Sequence, residues 1–388
     1  MYLSRLAMSV GQSATLKLNE LANTLKAEGK PVIHLGGGEP EEKIPQGAYE
    51  ASLKKLNSRY IRYTGAGGTP ELKKEISSYT EKYYGLKPAA GNIVVSGGAK
   101  QAIYNFLMAV VDPGSEVVFP APYWVSYPEM VKLVYGTPVI VRPGPGRLLP
   151  DIQDLDRHIS SNTRAVMLNS PNNPSGMVYS EEFVRELVEI CEYRGVYLMM
   201  DDIYNRLVFG GACAANAFSL SKRPLNDSII VSINGVSKMY SMTGFRIGWS
   251  VGGEAITQAM VKMQAQITSC PSELSQAAAA GALAEQGPFV ENLRVQLEKK
   301  RDLMVSELQK LKKVKVHVPQ GTFYSFPDFS AYEADSEKLS RLLLDKAMVV
   351  AVPGKEFGLD GHLRLSYCGS EKDIVEGVSR IRKVLDPE

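Results

Sequence analysis

Ala165-Val166-Met167-Leu168-Asn169-Ser170-Pro171-Asn172-Asn173-Pro174-Ser175-Gly176 reads as a short apolar strand ending in a turn, and Val196-Tyr197-Leu198-Met199-Met200-Asp201 reads as a second strand a helix-length later. Working outward, Ile93–Ser96, Glu116–Phe119, Ile229–Asn234 and Arg246–Val251 repeat the pattern, with longer helical stretches between them. Short β-branched runs alternating with helices predict a mostly parallel sheet covered by helices. Open α/β sheets place ligands beyond the carboxyl ends of their strands, so Asn173, Asp201 and Lys238 should converge on one pocket.

After about residue 290 the pattern changes. A long charged helix is followed by Val314–Val318, the Gly321–Phe326 run, a helix near Ser336–Asp345, strands at Val349–Val352 and His362–Tyr367, and a closing helix. That last helix opens with Ser370 and Asp373 at N-cap and N3 spacing and repeats Ile374, Val378, Ile381 and Leu385. The expected organisation is an N-terminal segment, 1–44, packing on the small domain; a large domain, 45–290; and a smaller α+β domain, 291–388. Gly36-Gly37-Gly38-Glu39-Pro40 looks like the hinge.

At 388 residues two domains are the natural expectation. A net charge of +2, with 22% charged residues, gives no basic face for nucleic acid or an anionic membrane. No apolar stretch reaches the length of a signal peptide core or a membrane span, and the expected location is the cytoplasm. The four cysteines are scattered, which fits reduced thiols, and the four histidines lack partners at metal-ligand spacing.

The residues that carry chemistry cluster in a few stretches. In Asn234-Gly235-Val236-Ser237-Lys238-Met239-Tyr240-Ser241-Met242-Thr243-Gly244-Phe245-Arg246, a lysine stands eight residues before an arginine, just after a strand. An imine-forming lysine needs a depressed pKa, and a nearby cation helps supply it, although a surface lysine is the commoner fate of any single one. Asp201 and Tyr204 offer what a pyridine nitrogen and its phenolic oxygen need; a helix cap and a packed tyrosine are the bland alternative, with Asp202 solvated beside them. Gly97-Gly98-Ala99-Lys100-Gln101 joins a strand to a helix running to Val110, exposing N–H groups to a phosphate. Trp124, in Pro122-Tyr123-Trp124-Val125-Ser126-Tyr127-Pro128, could stack on a planar ring or fill the core. Arg364 sits inside an apolar strand, where its fork suits a carboxylate, whether a substrate's or a structural one.

Taken in order, seven motifs resemble the class I pyridoxal-phosphate-dependent aminotransferases, in particular the bacterial-type aspartate aminotransferases: Gly38–Pro40, the Tyr63 region, Gly98–Gln101, Pro122–Pro128, Ser170–Gly176, Asp201 with Tyr204, and Lys238 with Arg246. The resemblance covers nearly the whole chain and implies a fold type I pyridoxal phosphate enzyme. It implies Lys238 as the Schiff-base lysine and general base, Asp201 at the pyridine nitrogen, Asn173 and Tyr204 at the ring 3-oxygen, and Trp124 stacked on the ring. Gly98, Ala99, Lys100 and Arg246 would cradle the phosphate, with Ser237 adding a hydrogen bond and Tyr63 reaching the site of the neighbouring subunit in a homodimer. Arg364, Asn173, Trp124 and the Gly38 backbone would hold the substrate, and Lys100 and Ser13 would meet a distal carboxylate. The chain departs from the family pattern at Glu41-Glu42, Asp202 and Phe245.

The implied reaction moves the amino group of an L-amino acid, foremost L-aspartate, to 2-oxoglutarate. Alanine, aromatic amino acids or prephenate are alternative partners. A C–S lyase or a cyclopropane-forming synthase is an alternative on the same scaffold, and a non-enzymatic cofactor-binding regulator is a third class. No G-x-G-x-x-G fingerprint supports a dehydrogenase.

Overall fold

The computed structural model describes residues 2–11, 14–285 and 287–387. Strand β1 (Ile33–His34) lies near the N-terminus. It is followed by β2 (Ile93–Ser96), β3 (Glu116–Pro120), β4 (Thr137–Val141), β5 (Thr163–Asn169), β6 (Tyr197–Asp201), β7 (Ile230–Gly235) and β8 (Gly248–Val251). The last seven form one sheet in the order β2-β8-β7-β6-β5-β3-β4. Its pairings are parallel except those of β8, which runs against both β2 and β7.

Side-chain alternation explains why these runs carry so little polar character. Val117, Phe119, Ala165, Met167, Met199 and Ile233 enter the core under the helices Ala99–Val110 and Glu254–Ile267. Their neighbours Val118, Val166, Leu168, Leu198 and Met200 enter the opposite core under Ile152–His158 and Glu181–Arg194. Both faces are buried, so the strand centres are almost wholly apolar, Ser232 of β7 being an exception that is hydrogen-bonded to Asp202. Asp201 is the first polar residue of β6, two positions after Met199, and its side chain therefore leaves on the Met199 face.

Beyond the long helix Phe289–Leu308 comes a smaller α+β unit with β9 (Tyr324–Ser325), β10 (Val349–Val350), β11 (Val352–Pro353) and β12 (Leu363–Ser366). Strand β12 sits between β11 and β9, both antiparallel to it, and β10 pairs in parallel with β1. Ala22 and Val32 share a core with Leu344 and Val350, which ties the N-terminal helix to this unit. The closing helix Glu371–Leu385 starts at Ser370, whose side chain accepts the Asp373 N–H, and buries Ile374, Val378 and Ile381.

Four expectations change. Strand β4 (Thr137–Val141) is additional to the strands expected from the sequence. Strand β8 begins at Gly248 rather than Arg246, because Arg246 takes a left-handed conformation at φ 54° and closes a short 3-10 turn. Val314–Val318 contributes a single bridge, Lys315 to Asp328, and Gly321–Phe326 yields only the two residues of β9. No helix among the described residues is long and apolar enough to cross a membrane.

Candidate active site

The carboxyl ends of β5, β6 and β7 open into a cavity of about 550 Å³. Of the residues singled out from sequence, Gly38, Ala99, Lys100, Trp124, Asn173, Asp201, Tyr204, Ser237, Lys238, Arg246 and Arg364 all line it. Gly98 lies immediately behind Arg246. Tyr63 does not line the cavity of its own chain, and its side chain is 91% exposed. Ser13 lies outside the described residues.

At one end the helix Ala99–Val110 starts from Gly98 without a side-chain cap, so the first-turn N–H groups of Ala99 and Lys100 have no intrahelical acceptor. Gly98 holds φ at 94°, and a Cβ there would meet Arg246 Nη2 at 2.6 Å. Gly248 matters equally, because a Cβ on it would lie 2.3 Å from the Ala99 nitrogen. Two glycines thus let the helix start, the β8 backbone and the Arg246 guanidinium crowd together. Arg246 Nη1 donates to the Thr243 carbonyl at 2.8 Å, and Lys100 Nζ lies 4.9 Å from the centre of the Trp124 ring. Burial and the neighbouring Arg246 both lower the Lys100 pKa.

Asp201 is buried at the cavity floor. Tyr127 Oη donates to its Oδ2 at 2.6 Å, and the Ile203 N–H lies 3.4 Å from Oδ1. Burial pushes its pKa up to about 6, against those hydrogen bonds. Asn169 Nδ2 donates to the Asp201 carbonyl, and Asn169 Oδ1 accepts the Asn173 N–H at 2.7 Å, so the end of β5 fixes both neighbours. Asp202, expected to be solvated, is instead 4% exposed on the opposite face, where its Oδ2 accepts from Tyr84 Oη and Ser232 Oγ. Its pKa rises to about 7 through burial.

Lys238 Nζ donates to the Gly38 carbonyl at 2.6 Å and lies 5.9 Å from the centre of the Phe323 ring. Its pKa falls to about 8 chiefly through burial; Glu39 and Cys368 oppose the shift, and Arg364 and Arg246 add to it. The expected help from a nearby cation is therefore the lesser cause. Arg364 is 2% exposed, stacked 4.4 Å from the Tyr324 ring centre and 5.0 Å from that of Phe357. Its Nη1 donates to Asn173 Oδ1 and its Nη2 to the Gly36 carbonyl, while Nε has no partner among the described residues. Both bonded acceptors are neutral. A buried guanidinium without a carboxylate partner is expensive unless an anion joins it.

A family model described as "Aminotransferase class I and II" matches residues 30–381. The chain belongs to that family. Its relatives include the "Aspartate aminotransferase" of Geobacillus stearothermophilus, 37% identical over 100% of this chain and 99% of the other. A protein of Aquifex aeolicus (strain VF5) named "Probable aspartate/prephenate aminotransferase" is 38% identical over 96% of each chain. Among solved structures, the aspartate aminotransferase from Thermus thermophilus with maleate superposes at a TM-score of 0.94 and 34% identity, covering 99% of this chain and 100% of that one.

The cavity of this aminotransferase is also lined by residues whose sequence context suggested no role. Glu39, Asn169, Thr243 and Tyr324 line the cavity, and Glu39 Oε2 accepts from Thr243 Oγ1 at 3.2 Å. Tyr127 and Glu39 stand inside motifs already singled out, so their positions were legible although their partners were not. Tyr324 carried no local signal.

Proposed function

We propose that this aminotransferase transfers the amino group of L-aspartate to 2-oxoglutarate, using pyridoxal phosphate held as a Schiff base on Lys238. The observation that carries the reading is Arg364: a buried guanidinium whose hydrogen-bond partners among the described residues are neutral, facing the same cavity as a half-buried lysine whose pKa is lowered to about 8. The cavity suits the cofactor's chemistry. The crowded Gly98–Arg246 corner with its free helix N–H groups fits a phosphate, Trp124 offers a ring face, and Asp201 offers a carboxylate to a pyridine nitrogen.

When bound, pyridoxal phosphate supplies the carbonyl that takes up the amino group and the ring that withdraws electrons from the α-carbon. The protein's own groups do the rest. Arg364, held by Asn173 and the Gly36 carbonyl, orients the α-carboxylate through its guanidinium fork. Lys238, with its lowered pKa, moves a proton at the substrate α-carbon. Tyr127 and the Ile203 N–H hold the two oxygens of Asp201, which lines the cavity. Trp124 and Tyr204, which line the cavity, would hold the cofactor's ring, and Ser237 would hold its phosphate.

Aspartate is favoured over neutral donors by Lys100, whose ammonium reaches over Trp124 into the cavity. Lys100→Ala should lower kcat/KM for aspartate by about 10-fold or more, the worth of one charged hydrogen bond, and leave alanine nearly unchanged. An equal fall for both donors would return Lys100 to the phosphate end alone. The working unit is proposed to be a cytoplasmic homodimer in which Tyr63, exposed in the single chain, serves the partner's site. Mixing Tyr63→Phe and Lys238→Ala chains should regenerate activity above either parent, and no gain after demonstrated subunit exchange would count against sharing.

A further inference from the structure

The cavity contains one aromatic residue that touches both halves of the expected chemistry. Tyr324, on β9, is 2% exposed. Its ring lies 4.4 Å from the Arg364 guanidinium, and its hydroxyl lies 3.4 Å from that of Tyr204. The two tyrosine rings meet edge to face, with centroids 6.1 Å apart. A Cβ added to Gly38 would meet the same hydroxyl at 3.1 Å, so the glycine leaves the space into which Tyr324 projects. Burial raises the pKa of both phenols, so each stays protonated over the working range and each has one proton to give.

We infer that Tyr324 is a positioning residue that links the carboxylate-binding arginine to the tyrosine expected at the cofactor's ring oxygen. The inference rests on the proposed roles of Arg364 and Tyr204 and goes beyond them. The ring face confines the guanidinium between Tyr324 and Phe357 while leaving its edge, including the unpartnered Nε, for hydrogen bonding. The hydroxyl does separate work. In the structure, Tyr204 donates its proton to Tyr324. Once Tyr204 donates instead to an oxygen in the cavity, Tyr324 turns its own proton to the Tyr204 oxygen. A hydroxyl that accepts a hydrogen bond is a better donor, so this relay strengthens the contact Tyr204 makes with the ring oxygen.

The two functions separate by substitution. Tyr324→Phe keeps the ring on Arg364 and removes only the relay; Tyr324→Leu removes both. Two quantities are measured on the cofactor-loaded enzyme: the pH midpoint at which the absorption of the bound cofactor changes, and the dissociation constant of a non-reacting dicarboxylate followed by the same absorption. For Tyr324→Phe the midpoint should rise by about half to one pH unit, the effect of one neutral hydrogen bond, with dicarboxylate binding within about 2-fold of the parent. For Tyr324→Leu binding should weaken by roughly 2- to 30-fold as well, the range expected for a cation–π contact.

A midpoint that stays put or falls in Tyr324→Phe overturns the relay, and that variant keeps the shape of the buried site if the leucine variant fails to fold. Binding that weakens as much in Tyr324→Phe as in Tyr324→Leu overturns the role given to the ring face. If the parent enzyme itself shows neither a cofactor absorption that titrates nor dicarboxylate binding, the proposed function fails, and that outcome is distinct from a parent that shows both while the Tyr324 variants match it.

Discussion

Replacing Arg364 with lysine keeps a cation in the cavity and removes the planar fork. In the protein the guanidinium is locked by two aromatic faces, by Asn173 Oδ1 at 3.0 Å and by the Gly36 carbonyl at 2.9 Å. A lysine ammonium is a point charge on a flexible stem and cannot offer two parallel donors to one carboxylate. The loss is then at least one charge-assisted hydrogen bond, about 1.5–3 kcal/mol, or roughly 10- to 150-fold in kcat/KM. The assay compares L-aspartate with an amine that lacks the α-carboxylate but can still donate its amino group. Aspartate should lose that factor, and the amine should stay within about 2-fold, because nothing on it addresses residue 364. A parallel fall for both donors, in a variant with unchanged thermal unfolding, would refute the reasoning, since the arginine would then be supporting the cavity rather than holding the substrate.

Two further outcomes follow from the buried ionisable groups. Lys238→Ala removes the amine that contacts the Gly38 carbonyl and should cut turnover by at least the roughly 10²- to 10⁴-fold worth of a positioned base, while pyridoxal phosphate still binds weakly and is lost on dialysis; undiminished turnover would reject its role. Burial raises the pKa of folded Asp202 to about 7, above the ordinary carboxylate value of about 4, so the folded state retains a proton that the unfolded state releases. Its stabilising contribution is complete below about pH 4 and is lost as pH rises to about 7, a change on the order of a few kcal/mol. Asp202→Asn should flatten the pH dependence of thermal unfolding across that window, and an unchanged slope would show that Asp202 does not titrate there.

The parts of the fold legible in the sequence are those whose surroundings are uniform. β2, β6 and β7 are buried on both faces, so their apolar runs announce themselves whatever lies beside them. β4 escaped because it is the edge of the sheet: its burial is partial, it contains Pro138, and a proline is tolerated there because one side of the strand needs no ladder bond. In the cavity, the turn around Asn173, the strand-end Asp201 and the glycine-flanked Lys100 each carry a local signal. Asp202 and Tyr324 do not. Strand alternation sends Asp202 away from Asp201, but its burial depends on Tyr84 and Ser232, which lie 118 and 30 residues away. The partners of Tyr324 stand at 204 and 364, and no spacing rule connects those positions.

The cavity's charges explain why a small dianion or dicarboxylate should be drawn into it. Four cations, Lys100, Lys238, Arg246 and Arg364, line the cavity against two carboxylates, Glu39 and Asp201. Tyr127 already occupies one oxygen of Asp201, and Thr243 donates to Glu39, and among the described residues neither acid is bonded to Lys238 or Arg364. Those cations rest instead on backbone carbonyls of one segment, Lys238 on Gly38 and Arg364 on Gly36. A neutral carbonyl is a weaker partner for a charge than a carboxylate or phosphate is. An anion entering the cavity therefore exchanges a weak contact for a strong one at no cost in a broken ion pair. The segment 36–38 satisfies the cations without neutralising them, and the positive potential stays available for the ligand.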